Sequence, residues 1–323
     1  MSLSVKLVIL VIFTIASVLF SLTQGSVIIP IDALFLTSGN ENNSIAHSVL
    51  TEIRGPRMLS AFVVGAMLSI SGALMQILLR NPLADPYILG ISGGAAVAVL
   101  CGMLLGVQFW LIDGLALIGA SVSTFLVFVI AYRSYHNNAE NLLLCGVVIA
   151  AGWGAIISLL LSLSANTQLP SMLFWLMGDL SHAPDPGWAY IVLFVVFCIL
   201  LVYSRELNLL MRGELSAASL GVSINKLKIL IFSSAAILTA FSVSLAGSVG
   251  FVGLIIPHLM RMFVGTDHRV LLIACVLFGG SFLLLADTLS RVIFLPNSIP
   301  VGVVTALLGV PMFLYLLRRT SIG

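Results

Sequence analysis

Charge is what this sequence lacks most. Of 323 residues, 14 are Lys or Arg and 12 are Asp or Glu, so charged side chains make up 8% of the chain. An ordinary soluble domain carries about 25%. Hydrophobic residues reach 60%, and the mean hydropathy is +1.19. Such a chain cannot cover its own surface in water, but it can cover it with lipid, where apolar side chains belong outside. The formal net charge of +2 gives no basis for binding nucleic acid. Cysteine is scarce too: Cys101, Cys145, Cys198 and Cys275 each sit in an apolar run without a C-x-x-C partner. That argues against a disulfide framework or thiolate metal site and for small packing residues. There is no G-x-x-x-x-G-K-[ST] loop, so the chain does not bind and hydrolyse ATP by itself, and there is no H-E-x-x-H. The histidines are scattered, and His258, in Pro257-His258-Leu259-Met260-Arg261, reads as a hydrogen-bonded residue near a helix end. No nucleophile–base set or metal cluster is visible, so the sequence does not read as an enzyme and predicts no metal site.

What is present is a series of long apolar runs. A membrane span needs about 20 mostly apolar residues. Spans are expected near 5–24, 58–79, 88–107, 114–133, 142–164, 187–204, 229–246, 249–264, 270–290 and 298–317. The expected fold is therefore an all-α integral membrane protein, one domain over residues 1–323, with about ten transmembrane helices. The first run follows Lys6 and resembles a signal peptide, but Ser21-Leu22-Thr23-Gln24-Gly25 is a weak cleavage site, and an uncleaved span is preferred. The eighth is interrupted by Pro257, His258 and Arg261, and charge bias decides in its favour. With ten spans and both termini cytoplasmic, eleven basic residues fall inside and only Arg54, Arg57 and Arg291 fall outside.

Small residues four apart (Gly65 and Ser69, Gly90 and Gly94, Gly102 and Gly106) suit close helix packing. Ser69-x-x-Gly72 followed by Pro82 recurs at constant offset as Ser244-x-x-Gly247 followed by Pro257, a hint of repeated halves. An ionisable group at membrane depth is expensive and marks a role. Asp287 is the candidate, with Arg291 four residues on, where the two can satisfy each other as a structural ion pair. The alternative is a stand-alone secondary transporter with Asp287 as its coupling site. Between the second and third spans, Asn81-Pro82-Leu83-Ala84-Asp85-Pro86 breaks the helix before the glycine-rich Leu89–Gly94 restarts it. The segment from Ser204 to Lys228 is too polar to span, and its centre, Gly213 to Val222, predicts a short helix stopped at Gly221 that docks a cytoplasmic partner.

These segments together resemble one family. Arg54-Gly55-Pro56-Arg57, Asn81 to Pro86, Leu89 to Gly94, Gly213 to Val222, Gly250 to His258, Ala286 to Arg291 and Pro300 to Pro311 are similar, in order, to the permease subunit of binding-protein-dependent ABC importers for iron-siderophores, haem and cobalamin. The resemblance implies a pore subunit in a bacterial cytoplasmic (inner) membrane, paired with a second permease copy as a homodimer or heterodimer. Two cytoplasmic ATPase subunits and a periplasmic substrate-binding protein would complete it. ATP and Mg would bind the ATPases, so the permease itself needs no cofactor. Residues matching the family's ATPase-coupling loop are Gly213, Glu214, Leu215, Ala217, Ala218, Leu220 and Gly221. Asn81, Pro82 and Leu83 match the cytoplasmic gate, with the Arg133–Asn141 loop expected beside them. Arg54, Arg57 and Arg291 match positions that dock the binding protein, against the simpler reading of helix-end arginines reaching for the interface.

Overall fold

A computed structural model describes residues 2–25, 47–133, 139–181, 186–295 and 297–320, and among them every regular element is a helix. Helix α1 (Leu3–Thr23) has 21 residues, about 32 Å at 1.5 Å per residue, enough to cross the hydrocarbon core. A wide π-helical turn, Val49–Arg54, runs without a break into α2 (Gly55–Leu78), where Pro56, having no N–H, interrupts the hydrogen-bond ladder at the junction. The chain then turns through Asn81-Pro82, whose proline disfavours helix in the residue before it. Two short side-chain bonds hold the turn: Asn81 Oδ1 accepts from the Leu83 N–H at 2.9 Å, and Asp85 Oδ1 from the Tyr87 N–H at 2.8 Å. A single 3₁₀ turn, Pro86–Leu89, leads to Gly90 at φ 67°, where α3 (Ile91–Leu104) begins.

The remaining helices are α4 (Ile112–Arg133), α5 (Ala139–Leu163), α6 (Leu169–Leu176), α7 (Gly187–Val202), α8 (Ser204–Met211), α9 (Glu214–Ser219), α10 (Ile224–Ala246), α11 (Val252–Val264), α12 (His268–Val292) and α13 (Val301–Thr320). Among the described residues, six helices are long and apolar enough to cross a membrane. A seventh span arises if α7 and α8, bent by 64°, are one unit. Helices α3, α11 and the apolar part of α13 are shorter. Two of the expected spans, 88–107 and 249–264, are thus shorter as helices than the sequence suggested. Residues 88–90 belong to the turn before α3, and 249–251 precede α11, so both helices fall below the hydrocarbon thickness.

Helix α2 is the centre of the bundle, with 83% of its apolar window buried, whereas α5 has 6%. It packs against α12, α10 and α11, and glycine permits the contacts. A Cβ on Gly65 would overlap the Gly279 carbonyl oxygen of α12, and one on Gly72 would overlap the Gly253 carbonyl of α11. Ser71 ties α2 to α10 through Thr239 Oγ1 at 2.7 Å and the Ala235 carbonyl at 2.9 Å. The other small-residue pairs divide. Gly94 lies against Gly119 of α4, but Gly106 has open space around it and serves the turn after α3 at φ 67°. The recurring Ser-x-x-Gly pattern does not mark equivalent places either, since Gly72 is inside a helix and Gly247, at φ 64°, ends one.

Candidate functional site: the two ends of helix α2

Polar side chains gather at the two ends of α2. At its start, Arg57 grips Asp287 of α12 through two nitrogens, with Nε 3.0 and 3.1 Å from the two carboxylate oxygens and Nη2 2.8 Å from Oδ1. Arg291, one turn beyond Asp287, reaches the same carboxylate with Nε at 3.2 Å. Asp287 is 0% exposed. Arg57 Nη1 also donates to Ser181 Oγ at 3.1 Å, and Arg291 Nη2 donates to Ser21 Oγ of α1 at 3.3 Å. Arg54 lies beside them at 4% exposure and donates to the Leu22 carbonyl at 2.7 Å. One carboxylate therefore meets two guanidinium groups, with Arg54 beside them, and α1, α2 and α12 are joined there.

Arg54 is buried and ties the end of α1 to the start of α2. Arg57 and Arg291 each keep 14% of their side chains exposed, at the mouth of the cluster. Beside it, Ser181 lines a cavity of about 760 Å³ whose wall also includes Asp113, Gln168, Trp175 and Asp179.

At the other end of α2, Asn81, Pro82 and Leu83 form the exposed tip of the turn. The restart at Gly90 is clamped from two helices: Trp153 Nε1 of α5 donates to Ser123 Oγ of α4 at 2.9 Å, and Ser123 donates to the Gly90 carbonyl at 2.7 Å. The second expected gate loop, Arg133–Asn141, falls for the most part outside the described residues.

The Gly213–Gly221 segment lies at this same end. Gly213 at φ 119° and Gly221 at φ 84° bracket α9, in left-handed conformations that L side chains resist. The predicted short helix stopped at Gly221 is present as Glu214–Ser219. Ala217 is its buried foot, while Leu215 is 89% and Leu220 66% exposed. Glu214 Oε1 lies 2.7 Å from Arg80 Nη2 and 2.9 Å from Lys228 Nζ. The preceding helix, α8, is clasped separately. Asn208 Nδ2 donates to Asp267 Oδ1 at 2.9 Å, and Asn208 Oδ1 accepts from the His268 N–H at 2.9 Å. The Asn208 amide and the Arg269 N–H hold the Asp267 carboxyl below its ordinary range. Sequence reasoning missed Arg80, Lys228 and Asn208, because each acts on a residue of another element that only the fold brings near. Among the described residues, no group of three or more His, Cys, Asp or Glu is placed to hold a metal ion.

The FecCD transport family model matches residues 12–319 of the chain. The chain belongs to the FecCD transport family. Among its relatives are the cobalamin import system permease protein BtuC of Halobacterium salinarum, 44% identical over 280 residues, which are 86% of this chain and 75% of that protein. The hemin transport system permease protein HmuU of Yersinia pestis is 40% identical over 322 residues, covering 96% and 94% of the two chains. A solved inward-facing metal-chelate type ABC transporter superposes with a TM-score of 0.84 at 32% identity, over 97% of this chain and 98% of that one. This FecCD protein is thus a multi-pass permease of the ABC transporter class. The stand-alone carrier with Asp287 as coupling site is not supported, and Asp287 is enclosed between two arginines.

Proposed function

We propose that this FecCD permease forms half of a dimeric pore that imports a metal chelate of the iron-siderophore, haem or cobalamin class across a bacterial cytoplasmic membrane. In this reading the six long helices, the bent pair and the three short apolar helices make ten spans, with both termini inside. Two separate ATPase subunits, which bind the ATP and Mg, dock at Gly213–Gly221. A second permease copy, a homodimer being the simplest case, covers the bundle where α5 is least buried. Lipid covers the remaining apolar faces.

The observation that carries the reading is a pair of exposed leucines at α9. Leu215, within the helix, and Leu220, just past its end, stand outside the bundle on a short segment fixed at one polar end, and apolar side chains in that position find cover in a protein partner. Coupling would run through this helix to the gate at Asn81, Pro82 and Leu83. At the opposite end, Arg57 and Arg291 share one aspartate, an excess of positive charge that suits acidic side chains on a periplasmic substrate-binding protein. Arg57 and Arg291, at the mouth, would meet them and set register and encounter rate more than affinity.

The test is reconstitution of the permease in liposomes with its ATPase and binding-protein partners, supplied with cobalamin, haem or a ferric siderophore. Uptake should need all components and ATP. Uptake of the same chelate by the permease alone, driven by a proton gradient, would overturn the reading.

A further inference from the structure

Both ends of α2 are pinned by the same device. Arg57, near its start, meets Asp287, a carboxylate also held by Arg291. Arg80, two residues past its last turn, meets Glu214, a carboxylate also held by Lys228. The second pin has features the first lacks. Arg80 has φ 48°, a left-handed backbone disfavoured for a residue with a Cβ, and its guanidinium meets the first residue of α9. The three residues that follow it are Asn81, Pro82 and Leu83.

Helix α9 is a single short unit, six residues between two left-handed glycines. A Cβ on either Gly213 or Gly221 would meet nothing within 4 Å, so these glycines answer to their positive φ and not to packing. The exposed Leu215 lies within it and the exposed Leu220 just past its end, and Glu214 ties its N-terminal end to both Arg80 and Lys228. Lys228 belongs to α10, a core helix, and gives Glu214 a fixed reference, whereas Arg80 sits at the root of the turn. One carboxylate oxygen shared by two cations fixes the rotation of α9 relative to both. Half-exposed ion pairs add little stability, so the value of this bridge lies in direction.

We propose that Glu214 is a positioning residue that transmits displacement of α9 to the Asn81–Leu83 turn through Arg80. This rests on the reading of Gly213–Gly221 as the ATPase-coupling segment. Force on Leu215 or Leu220 rocks α9 about its glycines; Glu214 then shifts Arg80, and the turn moves with its first anchor.

The experiment uses the full transporter in liposomes and reads three quantities: co-purification of the ATPases, ATP hydrolysis, and chelate molecules imported per ATP. Glu214→Gln and Arg80→Gln should each keep the ATPases bound and hydrolysing while import per ATP falls about fivefold or more. Arg80→Glu should fall further, and the exchanged pair Arg80→Glu with Glu214→Arg should recover part of the loss, as no merely structural damage would. An unchanged import ratio in both glutamine variants overturns the proposal. So does loss of the ATPases from Glu214→Gln, because Glu214 would then be a docking contact itself. Leu220→Asp tests the underlying reading independently: if it leaves the ATPases bound and uptake normal, α9 is not the coupling segment, whatever Glu214 does.

Discussion

Replacing Asp287 with Asn isolates the energetics of the arginine cluster. The carboxylate is fully buried and takes four short contacts, three from Arg57 and one from Arg291. Asparagine keeps the volume and one acceptor but removes the only negative charge described in the cluster. The Arg57 and Arg291 guanidinium groups then face each other in a site largely closed to water. Removing one partner of a buried ion pair costs about 3–5 kcal/mol, because the remaining charge has no compensation. The lower figure already corresponds to roughly a hundredfold shift in the equilibrium holding α1, α2 and α12 together. The assay is thermal unfolding of the purified permease in detergent, followed by size-exclusion recovery after heating. Asp287→Asn should lose several degrees, and adding Arg291→Gln should restore part of the loss by withdrawing one orphaned charge. If the single variant melts with the parent, the cluster is not a clamp. If the double variant melts lower than the single, repulsion among the arginines is not what destabilises it.

Two further outcomes follow from packing and from titration. Gly72→Ala places a methyl group on the Gly253 carbonyl, so α2 and α11 must separate and yield of folded permease should drop sharply; Gly106→Ala, with open space around it, should lose only the modest cost of its left-handed φ. Expression and monodispersity of the two proteins compared side by side check this. The Asp267–Asn208 clasp has the sign of a depressed carboxylate: its folded value lies below the ordinary 3.8, so its contribution is complete above that value and is lost as pH falls through the folded one. Proteolysis of the 204–222 segment should therefore rise only in that acidic window, and Asn208→Ala should raise it at neutral pH.

The sequence made the helices legible and left their contacts hidden. Apolar runs revealed every long span because lipid imposes a length and a composition on each one separately. Helix α6, with eight residues, and the polar α8 escaped because neither is long or apolar enough to register as a span. The same contrast holds at the site. Asp287 and Arg291 are four apart on one helix, so their pairing follows from helical geometry alone. Arg57 is 230 residues from Asp287, and no periodicity connects them. Arg54 illustrates the cost: an arginine at the head of a span reads as an interfacial charge, and only the fold reveals that the end of α1 covers it. The short helix stopped at Gly221 was readable because glycine after a helical run is a local signal, whereas Arg80 and Lys228 converge on Glu214 only through the packing of α2 and α10.

The short inner helices carry a consequence of their own. Helix α3 has 14 residues and α11 has 13, about 20 Å each by helical rise, against a hydrocarbon layer of about 30 Å. The helices that face outward, α1 and α5, have 21 and 25 residues. The protein thus matches bilayer thickness at its rim and in its central helix α2, and falls short of it only at α3 and α11. A solute passing beside α3 or α11 would meet an insulating wall only two-thirds as deep as the membrane around it. The rest of the distance is left to the turns that flank them.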